Sequence, residues 1–318
     1  MAPSTSRLTH TTHHQTINVP ATSRAALLCS LARPGQWVKN ILVFAPLVLS
    51  HRWGDLQAWT TSLIGFGVFS LCASATYVWN DLVDREFDRL HPEKRLRPLA
   101  SGALPVSIAW PFAVILALLG LGLAGALNWR LQALMGVYFV LNQAYSRMIK
   151  RLALLDVMTL AVFYILRMLA GGISSGVPIS MWLLAMGACL FLSLALAKRA
   201  AELTRLKPAS DASLPGRAYV ATDLLWIRAA GGVSGLATVG ILAAYSVSSQ
   251  MSQLYVSTWP LLVISLLVGC WIHRTWGWAL SGTFQGDPVV FATRDRVSYV
   301  LGALCLVLLV YAAAGANT

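Results

Sequence analysis

The feature that most constrains this chain is a succession of apolar runs, each long enough to cross a lipid bilayer as a helix. Such a span needs about 20 apolar residues. Charged residues make up only 11% of the 318 residues, and a mean hydropathy of +0.66 excludes a water-soluble globular protein. The sequence therefore predicts an all-α, polytopic membrane protein with nine spans, near residues 37–51, 57–79, 106–127, 129–147, 152–173, 179–197, 226–247, 255–273 and 297–315.

The basic residues lie in the gaps between these runs and predict the orientation of the chain. With the N-terminus in the cytoplasm, 21 of the 24 Lys and Arg residues fall on the cytoplasmic side, and only Arg52 and Arg130 fall outside. Eleven of the 12 acidic residues lie on or near that same side. We therefore predict that the polar chemistry of this protein is concentrated on the cytoplasmic face of its membrane domain. Basic residues placed in this way indicate topology, and they predict no nucleic-acid partner.

The chain divides into a polar N-terminal part and one long membrane domain. Residues 1–35 are polar and are predicted to be a disordered cytoplasmic tail, whereas residues 36–318 are predicted to form a single catalytic domain. The five cysteines show no CxxC or CxxH spacing. We expect neither a disulfide framework nor a zinc site.

Three carboxylates at the end of the second span carry the strongest chemical signal. Asp81, Asp84 and Asp88 are spaced i, i+3, i+7, which places them within roughly 60° on one helix face, whereas Glu86 points to the opposite side. Like charges on one face need a neutralising cation, and carboxylate and phosphate oxygens are the ligands that Mg²⁺ prefers. The spacing favours a Mg²⁺ site for a diphosphate-bearing substrate. A solvated helix end that balances the neighbouring arginines is the alternative.

Cations and polar groups at three junctions are candidate substrate-binding residues. They are Lys94, Arg95 and Arg97 after the acidic motif, Tyr145, Lys150 and Arg151 before the fifth span, and Lys198, Arg199 and Glu202 at the end of the sixth. Lys39 and Asn40 share one side of the first span near its start. Cations at the end of the sixth span also have an ordinary explanation, because the helix dipole favours them there.

Asp156 and Arg167 are ionisable residues inside the fifth predicted span. They share one helix face but lie about 16 Å apart along the axis, too far for a direct ion pair. Ionisable groups within a span are costly and usually face a polar cavity or a partner. Each is therefore expected to have another partner, and we predict that both face the same cavity.

The motif NDxxDxxxD is matched by Asn80, Asp81, Asp84 and Asp88, and on this motif the chain resembles the UbiA superfamily of intramembrane prenyltransferases. More narrowly, it is similar to the branch that transfers phosphoribose to decaprenyl phosphate, in the segments RPGQWVKN, HPEKRLRPLASG, YSRMIKRLALLD, LRMLAGG, AKRAAEL and GDPVVFATRDR. The resemblance covers about residues 30–300. It implies a nine-helix bundle around a central cavity.

The resemblance also implies an activity, namely transfer of phosphoribose from phosphoribosyl pyrophosphate (PRPP) to a polyprenyl phosphate. Asp81, Asp84 and Asp88 would then hold Mg²⁺, Asn80 would bind substrate, and the cations named above would hold phosphates. Asp156 would stabilise positive charge on the ribose ring, and Arg167 would belong to the same binding cavity. Members that use prenyl diphosphates usually carry a second aspartate motif directly after the fourth span, whereas here only Asp156 is available at that junction.

Two other functions stay open from the sequence. One is an aromatic polyprenyltransferase of the same fold that uses a prenyl diphosphate. The other is a transporter of a phosphorylated metabolite, which the intramembrane Asp156 and Arg167 would permit. The loop around Asp287 is polar and rich in turn residues, and we assign it no catalytic role. Association into a homo-oligomer is left open as well.

Overall fold

The computed structural model describes residues 23–91, 93–205, 214, 216–251, 254–282 and 286–314. These residues form an all-helical bundle, as predicted. Its α-helices are α1 (Arg24–Ala32), α2 (Ala45–Leu49), α3 (Leu56–Val83), α4 (Arg85–Leu90), α5 (Val106–Leu127), α6 (Trp129–Arg147), α7 (Ala153–Ser175), α8 (Met181–Thr204), α9 (Leu224–Ser246), α10 (Trp259–Leu280), α11 (Pro288–Ala292) and α12 (Arg296–Ala314).

Seven helices in the described part of the chain are long and apolar enough to cross a membrane. They are α3, α5, α7, α8, α9, α10 and α12. The predicted span at 129–147 is the 19-residue helix α6, which is less apolar than those seven. The predicted span at 37–51 differs more, because it consists of an 11-residue 3-10 helix, Pro34–Phe44, that continues into α2. The membrane bundle is thus confirmed, while the count of nine spans stays a prediction.

The predicted tail is not disordered throughout. Residues 1–22 lie outside the described residues, whereas Arg24–Ala32 form α1, which the side chain of Ser23 caps by accepting a hydrogen bond from the Ala26 amide. The helix ends at Arg33, whose left-handed backbone (φ 52°) turns the chain into the 3-10 helix. The apolar side chains of α1 pack against α3. This contact explains why α1 forms a helix although the residues around it are polar.

The 3-10 helix and α2, residues 34–49, are called the first segment below. It lies against α7 at Gly171, where a Cβ atom would come within 2.0 Å of the Val43 carbonyl oxygen. Glycine therefore permits the close approach of the two backbones. The helices α3 and α7 are the most buried of the long helices, and α5 and α12 are the least buried.

Charged side chains gather at one end of this bundle. The carboxyl ends of α3, α6, α8 and α10 and the amino ends of α7, α9 and α12 meet there, because consecutive long helices run in alternating directions. We call it the polar end. Asp81, Asp156 and Asp287 each anchor one group of charged residues there.

Candidate active site

The first charged group is built around Asp81, near the end of α3, and Asp88, in α4. Both carboxylates are buried. Arg97 Nη1 donates to Asp81 Oδ1 at 3.0 Å and to Asp88 Oδ2 at 2.7 Å, and Arg33 Nη2 donates to Asp81 Oδ1 at 2.6 Å. The acidic motif is therefore folded around two arginines, of which Arg97 was predicted and Arg33 was not.

Asp84 separates the other two acidic residues of the motif. The three carboxylates do not lie on one continuous α-helix, because α3 ends at Val83 and Asp84, with ψ near 0°, separates it from α4. Arg97 nevertheless reaches both Asp81 and Asp88. The Asp84 side chain is half-buried and has no hydrogen bond or ion pair within the described ranges.

The residues of this group fit a divalent cation. No three His, Cys, Asp or Glu side chains are close enough together to hold a metal ion in the part of the chain that the structure describes. Even so, oxygen atoms of Asp81 and Asp88 converge on a single positively charged nitrogen of Arg97, and Asp84 lies between them in sequence. Three carboxylates against Arg33 and Arg97 leave one negative charge without a partner. A divalent cation would supply the missing positive charge, and these carboxylate oxygens are the ligand type that such an ion prefers.

The second charged group surrounds Asp156, which lies at the start of α7. The Asp156 side chain is fully buried. Asp156 accepts hydrogen bonds from Arg199 Nε (2.6 Å) and Nη2 (3.1 Å), Arg217 Nη1 (2.9 Å) and the Tyr145 hydroxyl (2.8 Å). Arg199 also donates to Glu202 at 2.6 Å. Two guanidinium groups, those of Arg199 and Arg217, neutralise the buried Asp156 carboxylate. Sequence reasoning found four of these residues and missed Arg217.

Several predicted phosphate-binding residues lie apart from these ion pairs. Within the described chain, no hydrogen bond or ion pair is formed by the side chains of Lys94, Arg95, Lys150, Arg151 and Lys198. The first two and Arg151 are exposed, while Lys150 and Lys198 are half-buried. The cations that pair with Asp156 are Arg199 and Arg217. Asn80 donates to Asn142 at 3.3 Å instead of facing a charged group.

Arg167 is a buried cation without a carboxylate partner among the described residues. Its Nε donates to Asn40 Oδ1 at 2.9 Å and its Nη1 to the Phe163 carbonyl at 2.5 Å. The guanidinium also lies over the rings of Phe69 and Tyr164, at 4.6 and 5.6 Å from their centres. The expectation that Asp156 and Arg167 have separate partners is confirmed. A buried guanidinium held only by neutral groups favours binding of an anion.

The third group is built around Asp287, which sequence reasoning left without a role. Lys39 Nζ lies 2.9 Å from Asp287 Oδ2, and the Tyr164 hydroxyl donates to Oδ1 at 2.7 Å. Burial alone would raise the pKa of Asp287, but the charges of Lys39 and Lys198, with the hydrogen bonds from Lys39 and Tyr164, outweigh it and hold the pKa at about 2. The sequence signal that could have identified Asp287 is its position directly before Pro288, where it is the N-cap of α11.

An apolar cavity of about 370 Å³ opens beside this third group. Val38 and Val289, which are close in sequence to Lys39 and Asp287, are among its lining residues. The other lining residues belong to the first segment, α10, α12 and the end of α11 with Thr293, and most of them are apolar. We call it the inner cavity. It is an apolar space whose lining is close in sequence to the Lys39–Asp287 ion pair.

Comparison with known sequences identifies a family. The model of the UbiA prenyltransferase family matches residues 41–285. The chain is 35% identical to the nodulation protein NoeC of Azorhizobium caulinodans over 292 residues, which are 89% of this chain and 93% of that one. It is 32% identical to the decaprenyl-phosphate phosphoribosyltransferase of Mycobacterium tuberculosis, over 90% of this chain and 93% of the other.

Two further comparisons concern length and fold. The chain is 35% identical to the uncharacterized protein y4nM of Sinorhizobium fredii over 85% of its own length, but it spans only about half, 52%, of that longer relative. Among solved structures, a UbiA homolog from Archaeoglobus fulgidus bound to GPP and Mg²⁺ superposes with a TM-score of 0.60 at 18% identity. The superposition covers 92% of this chain and all of that one, and it shows the shared fold.

Proposed function

Because the chain belongs to the UbiA prenyltransferase family, we propose that it transfers 5-phosphoribose from PRPP to a polyprenyl phosphate and releases pyrophosphate. The observation that carries this proposal is the state of Asp156. Its carboxylate is fully buried and bound by Arg199 and Arg217. A donor that requires two acidic metal sites is poorly served by this arrangement. A donor such as PRPP, with a diphosphate at one end and a phosphate at the other, needs one metal site and a separate set of cations.

The residues that would hold Mg²⁺ are Asp81, Asp84 and Asp88. When bound there, the ion would neutralise the negative charge of the departing pyrophosphate. The polyprenyl phosphate oxygen is already anionic near neutral pH, so its attack on ribose C1 requires no general base. Catalysis then depends on positioning and on charge.

The cations of the polar end have separate tasks in this proposal. Arg167 and Lys198 lie where no carboxylate neutralises them directly, and they are assigned to phosphate groups of the substrates. Asp156 holds Arg199 and Arg217 in place, a different role from the ribose contact expected from sequence. The inner cavity receives the start of the lipid tail. The polar end is assigned to the cytoplasmic side of a bacterial inner membrane.

The relatives are consistent with this assignment. The 32%-identical protein of Mycobacterium tuberculosis is named decaprenyl-phosphate phosphoribosyltransferase, and relatives of 30–31% identity in Mycolicibacterium smegmatis and Corynebacterium glutamicum carry the same name. A structural relative binds GPP with Mg²⁺, which supports use of a divalent ion in this fold.

The test is incubation of the purified protein with radiolabelled PRPP, a polyprenyl phosphate and Mg²⁺, followed by extraction of the lipid. We expect label in the lipid phase, and its loss when EDTA removes the metal. A parallel reaction contains a prenyl diphosphate and an aromatic acid. If that pair reacts and PRPP neither binds nor reacts, the protein is an aromatic polyprenyltransferase and the proposal is wrong.

A further inference from the structure

A second apolar cavity, of about 250 Å³, lies in the half of the bundle remote from the polar end. Pro46, Leu49 and Tyr255 line it, together with residues at the amino end of α8 and the carboxyl end of α9. We call it the outer cavity. Val268, on α10, lines both the inner and the outer cavity. One side chain therefore borders both spaces.

Both cavities lie along the first segment. Val38, Ile41 and Leu42 line the inner cavity, and Pro46, Leu49 and the following Ser50 line the outer one. From residue 38 to residue 50 the segment rises by about 20 Å, at about 2.0 Å per residue in the 3-10 helix and 1.5 Å in α2. That distance is roughly two thirds of the hydrocarbon core of a bilayer.

The two ends of this path differ in chemistry. At the inner end, Lys39 and Asp287 form an ion pair beside the cavity, and the half-buried Lys198 acts on Asp287 electrostatically. Away from that end the lining is apolar, and it finishes among aromatic rings such as Trp182 and Tyr255. Lys198, the cation left in excess beside the Lys39–Asp287 ion pair, and the apolar lining beyond it match an amphiphile with an anionic head and an extended hydrocarbon tail.

We propose that the tail of the polyprenyl phosphate passes Val268 from the inner cavity into the outer cavity, so that this chain favours long-chain acceptors. The inference rests on the proposed function. A short tail fills the inner cavity alone, whereas a longer one also buries apolar surface in the outer cavity. The residue that separates the two spaces therefore determines how strongly tail length affects binding.

The kinetic test compares farnesyl phosphate with decaprenyl phosphate as acceptors. Val268→Phe narrows the passage, and Leu266→Phe adds the same ring two residues away on the exposed face of α10. We expect wild-type kcat/KM to be higher for decaprenyl phosphate. Val268→Phe should lower the long-to-short ratio of kcat/KM about tenfold, because the excluded methylene groups lose their burial. Leu266→Phe should keep the wild-type ratio. A ratio that Val268→Phe leaves unchanged would overturn the proposal.

A second test requires no turnover. A long polyprenyl phosphate with a diazirine at the end of its tail is photolysed in the wild-type protein, and the labelled peptides are sequenced. We expect label on the lining of the outer cavity, in the region of Trp182, Tyr255 and Leu309. Label confined to lipid-exposed residues such as Leu306 would show that the tail leaves into the bilayer. Loss of the label in excess phosphatidylglycerol would assign the outer cavity to bulk phospholipid. Either result would contradict the inference.

The two proposals can fail separately. If the diazirine labels the outer cavity but PRPP reacts with no acceptor, the tail path is supported and the phosphoribosyl reaction is wrong. If PRPP reacts equally well with farnesyl and decaprenyl phosphate and the label stays on the lipid-exposed surface, the reaction is supported and the tail path is wrong.

Discussion

Individual carboxylates at the polar end differ in whether the protein already neutralises them. Asp81 and Asp88 are buried against Arg33 and Arg97, while the Asp84 side chain has no partner in the ranges that the structure describes. An unpaired carboxylate next to two paired ones is the atom group most available to a metal ion. Removing the charge of the unpaired Asp84 is therefore expected to affect metal binding.

Asp84→Asn should lower transfer activity by about a hundredfold or more, the size of effect seen when one electrostatic contact at a reacting centre is removed. The protein should still fold, since this half-buried side chain packs in no core cluster. Initial rates with PRPP and polyprenyl phosphate provide the measurement. The matched control is Glu86→Gln, because Glu86 is 67% exposed and pairs only with Arg85 and Arg89. Equal losses in both variants would contradict a specific role for Asp84.

The stabilising contribution of Asp287 should be lost in acid. Its pKa of about 2 in the folded state is below the ordinary value of 3.8, so its ionised form stabilises the fold above about pH 4 and that contribution is lost as pH falls toward 2. The shift corresponds to about 2 kcal/mol. Asp287→Asn lacks this contribution at every pH. Thermal unfolding at pH 6 and pH 2.5 should therefore show a larger loss for the wild type than for the variant, and equal losses would contradict the assigned ion pair with Lys39.

At the scale of elements, the contact between the first segment and α7 holds Lys39 and Asn40 in place. Gly171→Ala should destabilise the fold by about 1–3 kcal/mol, since the added methyl group meets the Val43 carbonyl. It should also lower activity, because the whole first segment must shift. Gly122→Ala, in α5, is the control, as a Cβ there meets no atom within 4 Å. Unfolding temperature and transfer rate of both variants test this contact. Similar behaviour of the two would show that the close approach is unimportant.

At the scale of the whole molecule, the prediction concerns which face of the membrane carries the polar end. In a variant without native cysteines, Lys94→Cys and Arg151→Cys should react with an impermeant maleimide only in inverted vesicles. Trp129→Cys, at the junction of α5 and α6, should react from the outside of intact cells. The physical reason is the bias of Lys and Arg toward the cytoplasmic side. Labelling of Lys94→Cys in intact cells would reverse the proposed orientation.

The sequence by itself determined the membrane-embedded architecture and the acidic motif. Whether a run of about 20 residues enters lipid depends on its own composition, so long helices such as α3 and α7 were predictable within a few residues. The proximity of Asp81 and Asp88 to Arg97 was also local, since 16 residues or fewer separate the bonded partners. The first segment was harder to predict, because apolar composition does not distinguish a 3-10 helix from an α-helix.

Only the tertiary structure decided which groups neutralise each other across the bundle. Arg217 binds Asp156 from 61 residues away, Tyr164 binds Asp287 from 123, and Arg167 binds Asn40 from 127. Hydrogen bonds and buried ion pairs require atoms within about 3 Å. Which side chains reach that distance depends on helix packing, including the close approach at Gly171. Sequence spacing describes one helix at a time, so it could identify the charged residues of the polar end but not assign their partners.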